Sequence, residues 1–279
     1  MSKTENSMKS VKLTQKLTES SIMLALAVIL SILKVAELPY GGSITLASML
    51  PMIIISYRYG FGWGSLTGFV YALIQMLFGL KNLSYATSVV AAIAIILLDY
   101  IFAFMATCLG ALFRNMKKAP VAFGCAAFTV CLVRYIFHVI SGCTVWAGLS
   151  IPTTDAFFYS LIYNATYMLP ETIVTILAAV YISSLLDFSS PRLSAVKTER
   201  LPLYAHILNA VSGFLFVAAL ATAVVMIFPH LQNAETGEFD ITGIATVNSS
   251  VILIIAIVAL ALICILQIAK FIALSRSKK

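Results

Sequence analysis

A chain of 279 residues that is 61% hydrophobic and only 10% charged, with a mean hydropathy of +1.01, is too apolar to be a water-soluble domain built around one core. Apolar runs of about 20 residues, the length that crosses the hydrocarbon layer of a bilayer, recur along it. The composition therefore predicts an all-α polytopic membrane protein, and the formal charge of +7 has to be explained by where the basic residues lie.

Eight spans are expected, at roughly 19–36, 43–57, 60–80, 88–113, 119–143, 157–186, 205–229 and 245–274. With the N-terminus inside the cell, fifteen of the 18 basic residues fall on the cytoplasmic side, from Lys3, Lys9, Lys12 and Lys16 through Arg58, Arg114, Lys117 and Lys118 to the C-terminal Lys278 and Lys279. Only Lys34 and Lys81 fall near the outer face, and Arg134 lies within a span. This asymmetry predicts a multi-pass protein of the cell membrane with both termini cytoplasmic, and it accounts for the net charge with no nucleic-acid partner. The 5 cysteines, in or beside spans at no repeating spacing, read as packing residues and not as disulfides or metal ligands. The polar N-terminal segment leads into an apolar run without a small-residue cleavage signature, so the first helix is expected to be retained.

Residues 1–18 form a cytoplasmic N-terminal segment, and the first span carries Ser21 and Ala25 four residues apart, a small-residue face suited to a second helix. Glu37 to Met49 reads as an outer flap, with Gly41 and Gly42 leaving its backbone permissive. Pro51 sits near the start of the second helix. Gly60, Gly64 and Gly68 are expected to form one helical packing stripe, and Trp63 an interfacial anchor. No Gly-Lys-Ser or Gly-Lys-Thr follows these glycines, so no phosphate loop is encoded.

Ionisable residues inside spans are costly and point to function. The fourth span contains Asp99, followed by Tyr100, near mid-membrane. A lone aspartate there pairs with a cation such as Arg134, contacts a substrate, or does both. The fifth span places Arg134 and His138 four residues apart on one helical face, ahead of a turn bearing Trp146, Gly148 and Pro152. The sixth brings Tyr159 and Asn164 into its outer half and Glu171 to the depth of Arg134. These depths predict an Arg134–Glu171 ion pair, with Pro170 freeing a backbone carbonyl as a further acceptor for the arginine. Residues 19–187 thus form a six-helix substrate-binding membrane domain, 188–204 a cytoplasmic linker, and 205–279 a two-helix extension for packing, oligomer contact or regulation.

The six-helix part resembles the substrate-binding S component of an energy-coupling factor (ECF) vitamin transporter, of the thiamine-specific type. The resemblance is carried by VRYIFHVISGCTVWAG, FYSLIYNAT, LLDYIFAFM and, more loosely, LPMIIISYRYGFGWGSLTG. It implies a thiamine site in which His138, Trp146, Tyr159, Asn164, Asp99 and Tyr100 match the family's binding residues, with Tyr40 and Tyr85 as flanking aromatics. Asp99 stands where the pattern has Glu and Tyr40 where the flap has Trp, while Glu171 and the last two spans have no counterpart. The resemblance further implies no catalysis and no cofactor in this chain: ATP is used by partner ATPase subunits, joined through a transmembrane coupling subunit that meets the Ser21 and Ala25 face. The chemistry suits a flat, cationic guest, since aromatic faces and one carboxylate favour a thiazolium. Two other functions stay open. One is an S component for another small aromatic vitamin or pyrimidine precursor; the other is a proton-coupled secondary transporter using Arg134, Asp99 and Glu171 as a relay.

Overall fold

The computed structural model describes residues 11–146, 153–196, 202–233 and 239–277. The chain is a helical, multi-pass membrane protein: seven helices among the described residues are long and apolar enough to cross a bilayer. It divides into two compact units, 1–196 and 197–279.

The first unit opens with α1 (Leu13–Ile32), shifted from the expected 19–36 because the chain leaves helix at Lys34 to form a hairpin. Strand β1 (Lys34–Glu37) pairs antiparallel with β2 (Ser43–Thr45). The turn between them places Tyr40 at φ 64° and Gly41 at φ 93°, both left-handed, and Leu38 N–H donates to the Gly42 carbonyl at 2.6 Å. The expected second span at 43–57 is therefore part strand, and only α2 (Leu50–Tyr59) is helical, with Pro51 in its first turn. Its 10 residues rise about 15 Å, half the thickness of a hydrocarbon core, so this segment is not a spanning helix.

Gly60, at φ 91°, separates α2 from α3 (Phe61–Phe78), and so is not part of a helical stripe. Gly64 and Gly68 do serve close packing: a Cβ on them would lie 2.5 Å from Ser56 Cβ and 2.8 Å from Thr107 Oγ1. After a 3-10 segment at Leu80–Tyr85, the side chain of Ser88 caps α4 (Val89–Phe113) by accepting from Ala91 N–H. This helix is irregular, being π-helical over Ile96–Phe102 and 3-10 over Ala106–Phe113. Two long helices follow, α5 (Ala119–Thr144) and α6 (Thr154–Leu185), the latter capped by Thr153. A two-residue ladder, β3 (Leu186–Asp187) with β4 (Ser194–Ala195), closes the unit.

The short α2 lies at the centre, with every side chain from Leu50 to Arg58 buried. Met52, Ile53 and Ile55 are almost fully enclosed, and Tyr57 packs on Phe123 with ring centroids 4.4 Å apart. In a bilayer such packing is held by close van der Waals fit and interhelical hydrogen bonds more than by exclusion of water, because the alternative surroundings are equally apolar. Arg58, counted in the sequence only as a topology marker, has no exposed surface. It bonds Glu19 at 3.0 Å and the carbonyls of Phe188, Ser190 and Pro191 at 3.0–3.3 Å, joining α1, α2 and the segment before β4. Trp63 Nε1–H donates to Ser20 Oγ at 2.9 Å, which docks α3 on α1. The buried residues of α1 are Ser20, Ala27 and Ser31, whereas Ser21 and Ala25 are exposed and face away from the unit.

The second unit is a helical hairpin of α7 (Leu203–Ile227) and α8 (Ser249–Ser277). Gln267 donates to Ser212 Oγ and Lys270 to Asn209 Oδ1, each at 2.8 Å. The five cysteines are free thiols.

Candidate functional site

The π-helical stretch of α4 is centred on Asp99 and Tyr100. A π turn carries one residue more than an α turn, and such bulges often occur at functional sites. The Asp99 carboxylate accepts three hydrogen bonds, the pattern of the ionised form: His138 Nδ1 at 2.9 Å, Ser141 Oγ at 2.6 Å and Trp146 Nε1 at 3.2 Å. Arg134 Nε–H donates to His138 Nε2 at 3.3 Å, which assigns the ring proton to Nδ1, facing the carboxylate. Asp99 is thus held by histidine, serine and tryptophan, and not by Arg134.

Arg134 pairs with Glu171, as the matched depths predict, with Nη1 to Oε1 at 3.3 Å. Among the described residues its hydrogen bonds go to Glu171 and His138, and none goes to a carbonyl freed by Pro170. Thr45 Oγ1–H supports Glu171 at 2.9 Å, and the guanidinium lies 4.7 Å from the Phe104 ring centre. The result is a continuous line, Glu171–Arg134–His138–Asp99, running from a fully buried carboxylate to the wall of a cavity.

That cavity has a volume of about 750 Å³, within the size range of small-molecule sites. All eight residues proposed from the sequence line it: Tyr40, Tyr85, Asp99, Tyr100, His138, Trp146, Tyr159 and Asn164. Arg134 also reaches it, whereas Glu171 sits behind Arg134. Tyr40, Tyr85 and Trp146 form a three-ring cluster with centroids 5.4–5.8 Å apart. Tyr159 and Tyr163 stand parallel, 6.3 Å apart, and Tyr163 meets Tyr167 edge-on. The Tyr100 hydroxyl donates to the Gly79 carbonyl at 3.0 Å and accepts from Asn82 at 3.1 Å, holding its ring in the wall. Asn164 is committed within the protein, accepting from Tyr167 at 2.6 Å and donating to the Ser160 carbonyl at 2.8 Å. The turn after Trp146, with Gly148 and Pro152, lies outside the described residues.

Sequence reasoning missed Tyr163, Tyr167, Ser141 and Asn82. The two tyrosines had a legible signal, since Tyr159, Tyr163 and Tyr167 recur every fourth residue on one face of α6. At the mouth, Glu37 lies between Lys34 and Lys81, at 3.1 and 3.2 Å. Partial burial opposes ionisation of its carboxyl, but the two ammonium groups outweigh it and hold the pKa below the usual value. No cluster of three or more metal-ligating side chains occurs among the described residues. The arrangement is one for binding: flat rings for stacking, one carboxylate for a cation, and a polar pair beneath.

A family model described as "Thiamine transporter protein (Thia_YuaJ)" matches residues 17–190. "Thiamine transporter ThiT" of Bacillus subtilis is 36% identical over 190 residues, covering 64% of this chain and 93% of that protein. A solved structure of ThiT from Listeria monocytogenes aligns with a TM-score of 0.49 at 24% identity, covering 60% of this chain and 92% of that one. With the model spanning more than half of its length and a relative matched over nearly all of that relative's own length, the chain belongs to the thiamine transporter protein family.

Proposed function

We propose that this protein captures thiamine, or a close thiamine relative, from outside the cell and delivers it across the membrane as the substrate-binding subunit of an ATP-driven uptake system. The observation that carries this reading is the carboxylate of Asp99 set among aromatic rings within one cavity. Thiamine joins a flat aminopyrimidine to a cationic thiazolium. Trp146, Tyr159 and Tyr85 supply faces for these rings, at roughly 1–2 kcal/mol for each desolvated stacking or cation–aromatic contact. Asp99 supplies the counter-charge, held in place by His138, while Asn164 fixes the wall beside it through Tyr167 and Ser160. The chain has no nucleotide loop, so ATP hydrolysis is assigned to separate ATPase subunits, joined through a transmembrane coupling subunit that meets the exposed Ser21 and Ala25 face of α1. The distribution of basic residues supports cytoplasmic termini, with β2, the turn at 46–49 and the short α2 together completing one crossing.

The test is titration of the purified protein with thiamine, followed by quenching of tryptophan emission in a Trp63→Phe background, where Trp146 is the sole reporter. Wild-type protein is expected to bind. Trp146→Ala, read by calorimetry, and Asp99→Ala should each lose most of the affinity, and retention of it in both variants rejects the site.

The unbroken line from Glu171 to Asp99 also supports a second reading, proton-coupled transport by this chain alone. Thiamine accumulation in liposomes holding only this protein, driven by a proton gradient without ATP, would favour it.

A further inference from the structure

We infer that Glu171 is a specificity-determining residue: by cancelling the charge of Arg134 beneath the cavity, it leaves the Asp99 charge uncompensated and so makes the site select a cationic guest. The inference rests on the thiamine reading above.

Arg134 contributes a permanent positive charge to the cavity floor, on the same chain of hydrogen bonds as Asp99, through His138. Without a further anion, the two would sum to zero and a cation would gain little from entering. Glu171 supplies that anion from behind, with its Oε1 3.3 Å from Arg134 Nη1 and the residue wholly buried. With Glu171 ionised, the floor carries a net charge of about −1; with a neutral residue there, it carries about zero. Other ionised side chains line only the mouth. Lys34, Lys81 and Glu37 are partly exposed, where water and salt screen them.

The geometry of Glu171 fits a charge role better than a packing role. Its Oε2 has no hydrogen-bond partner among the described residues, and neither does Thr175 Oγ1. A buried ion pair with one oxygen unsatisfied is a poor source of stability, since desolvating two charges offsets their attraction. What the pair does alter is the potential at the cavity floor.

The experiment compares the affinity of two probes: thiamine, and deazathiamine, in which a neutral thiophene replaces the thiazolium. Glu171→Gln is expected to lower the thiamine-to-deazathiamine affinity ratio about tenfold, the effect of one unit charge about 10 Å from the guest at an effective dielectric constant of about 20. Arg134→Met is expected to raise that ratio by a similar factor. The double variant Arg134→Met/Glu171→Gln, which again leaves Asp99 alone, should return it to the wild-type value. Shifts in opposite directions separate charge from packing, because a packing defect lowers both affinities together. If Glu171→Gln does not fold, Arg134→Met and the double variant still carry the test. A ratio that stays constant across the folded variants, or moves in one direction in all of them, overturns the inference while leaving thiamine capture intact. Wild-type protein that binds neither probe overturns both.

Discussion

Replacing Asp99 by asparagine changes the candidate site by one charge and almost no volume. The carboxylate accepts from three donors, His138 Nδ1, Ser141 Oγ and Trp146 Nε1, and the last two share Oδ2. An amide with its oxygen toward His138 turns its NH₂ toward Ser141 and Trp146. The serine hydroxyl can rotate to accept, but the indole N–H cannot. One buried donor is then unpaired, at about 1–3 kcal/mol of stability, and the Trp146 ring loses its orienting bond. A cationic guest about 5 Å away at an effective dielectric constant of about 20 would also lose about 3 kcal/mol of attraction. The expected result is a fall in thiamine affinity of about 100-fold, measured by isothermal titration calorimetry on detergent-purified protein. A loss of less than about fivefold, with the protein folded, would refute the assignment of Asp99 as the counter-charge.

Three further outcomes follow from the geometry. Gly79→Ala suits the local backbone, at φ −98°, yet its Cβ would lie 2.0 Å from the Tyr100 hydroxyl. The ring must shift by about 1 Å, breaking two hydrogen bonds worth about 1 kcal/mol each, and both melting temperature and thiamine affinity should fall; Tyr100→Phe should be milder in both assays. Arg58→Met leaves the Phe188 and Ser190 carbonyls without their donor and strips Glu19 of its cation, although Gln15 and Tyr59 still bond it, and should cost about 3–5 kcal/mol, read as a lower melting temperature; an unchanged melting curve would show the clasp to be dispensable. Because the pKa of Glu37 is lowered on folding, its link to Lys34 and Lys81 stabilises the hairpin above the ordinary carboxylate range and is lost as pH falls through the folded value. Amide exchange across Lys34–Thr45, compared with Glu37→Gln at each pH, should show wild-type protection converging on that of the variant in acid; a pH-independent difference would contradict this.

Much of the helical order was legible because apolar runs of spanning length are local features. The Arg134–Glu171 pair was legible as well, since two opposite charges at one depth inside spans have few other partners. The eight residues around the cavity came together through motif resemblance joined to counting along helices. Three features were not legible, for physical reasons. The hairpin at Lys34–Thr45 interrupts two apolar runs, and its pairing depends on left-handed backbone at Tyr40, where most residues resist it. The π segment around Asp99 leaves no compositional trace, because its wider bonding is selected by neighbours on other helices. Arg58 looks like any basic residue at a helix end, and its burial follows from carbonyls about 130 residues further along the chain.

The attachment of α1 has one more consequence. Three hydrogen bonds tie its inner side near both ends, Glu19 to Arg58 and Ser20 to Trp63 at one and Ser31 to Gln75 at the other, while Ser21 and Ala25 stay bare on the outer side. The helix is a rail fastened along one edge. Whatever slides against its free edge meets a surface already stiff, so association there forfeits little additional disorder.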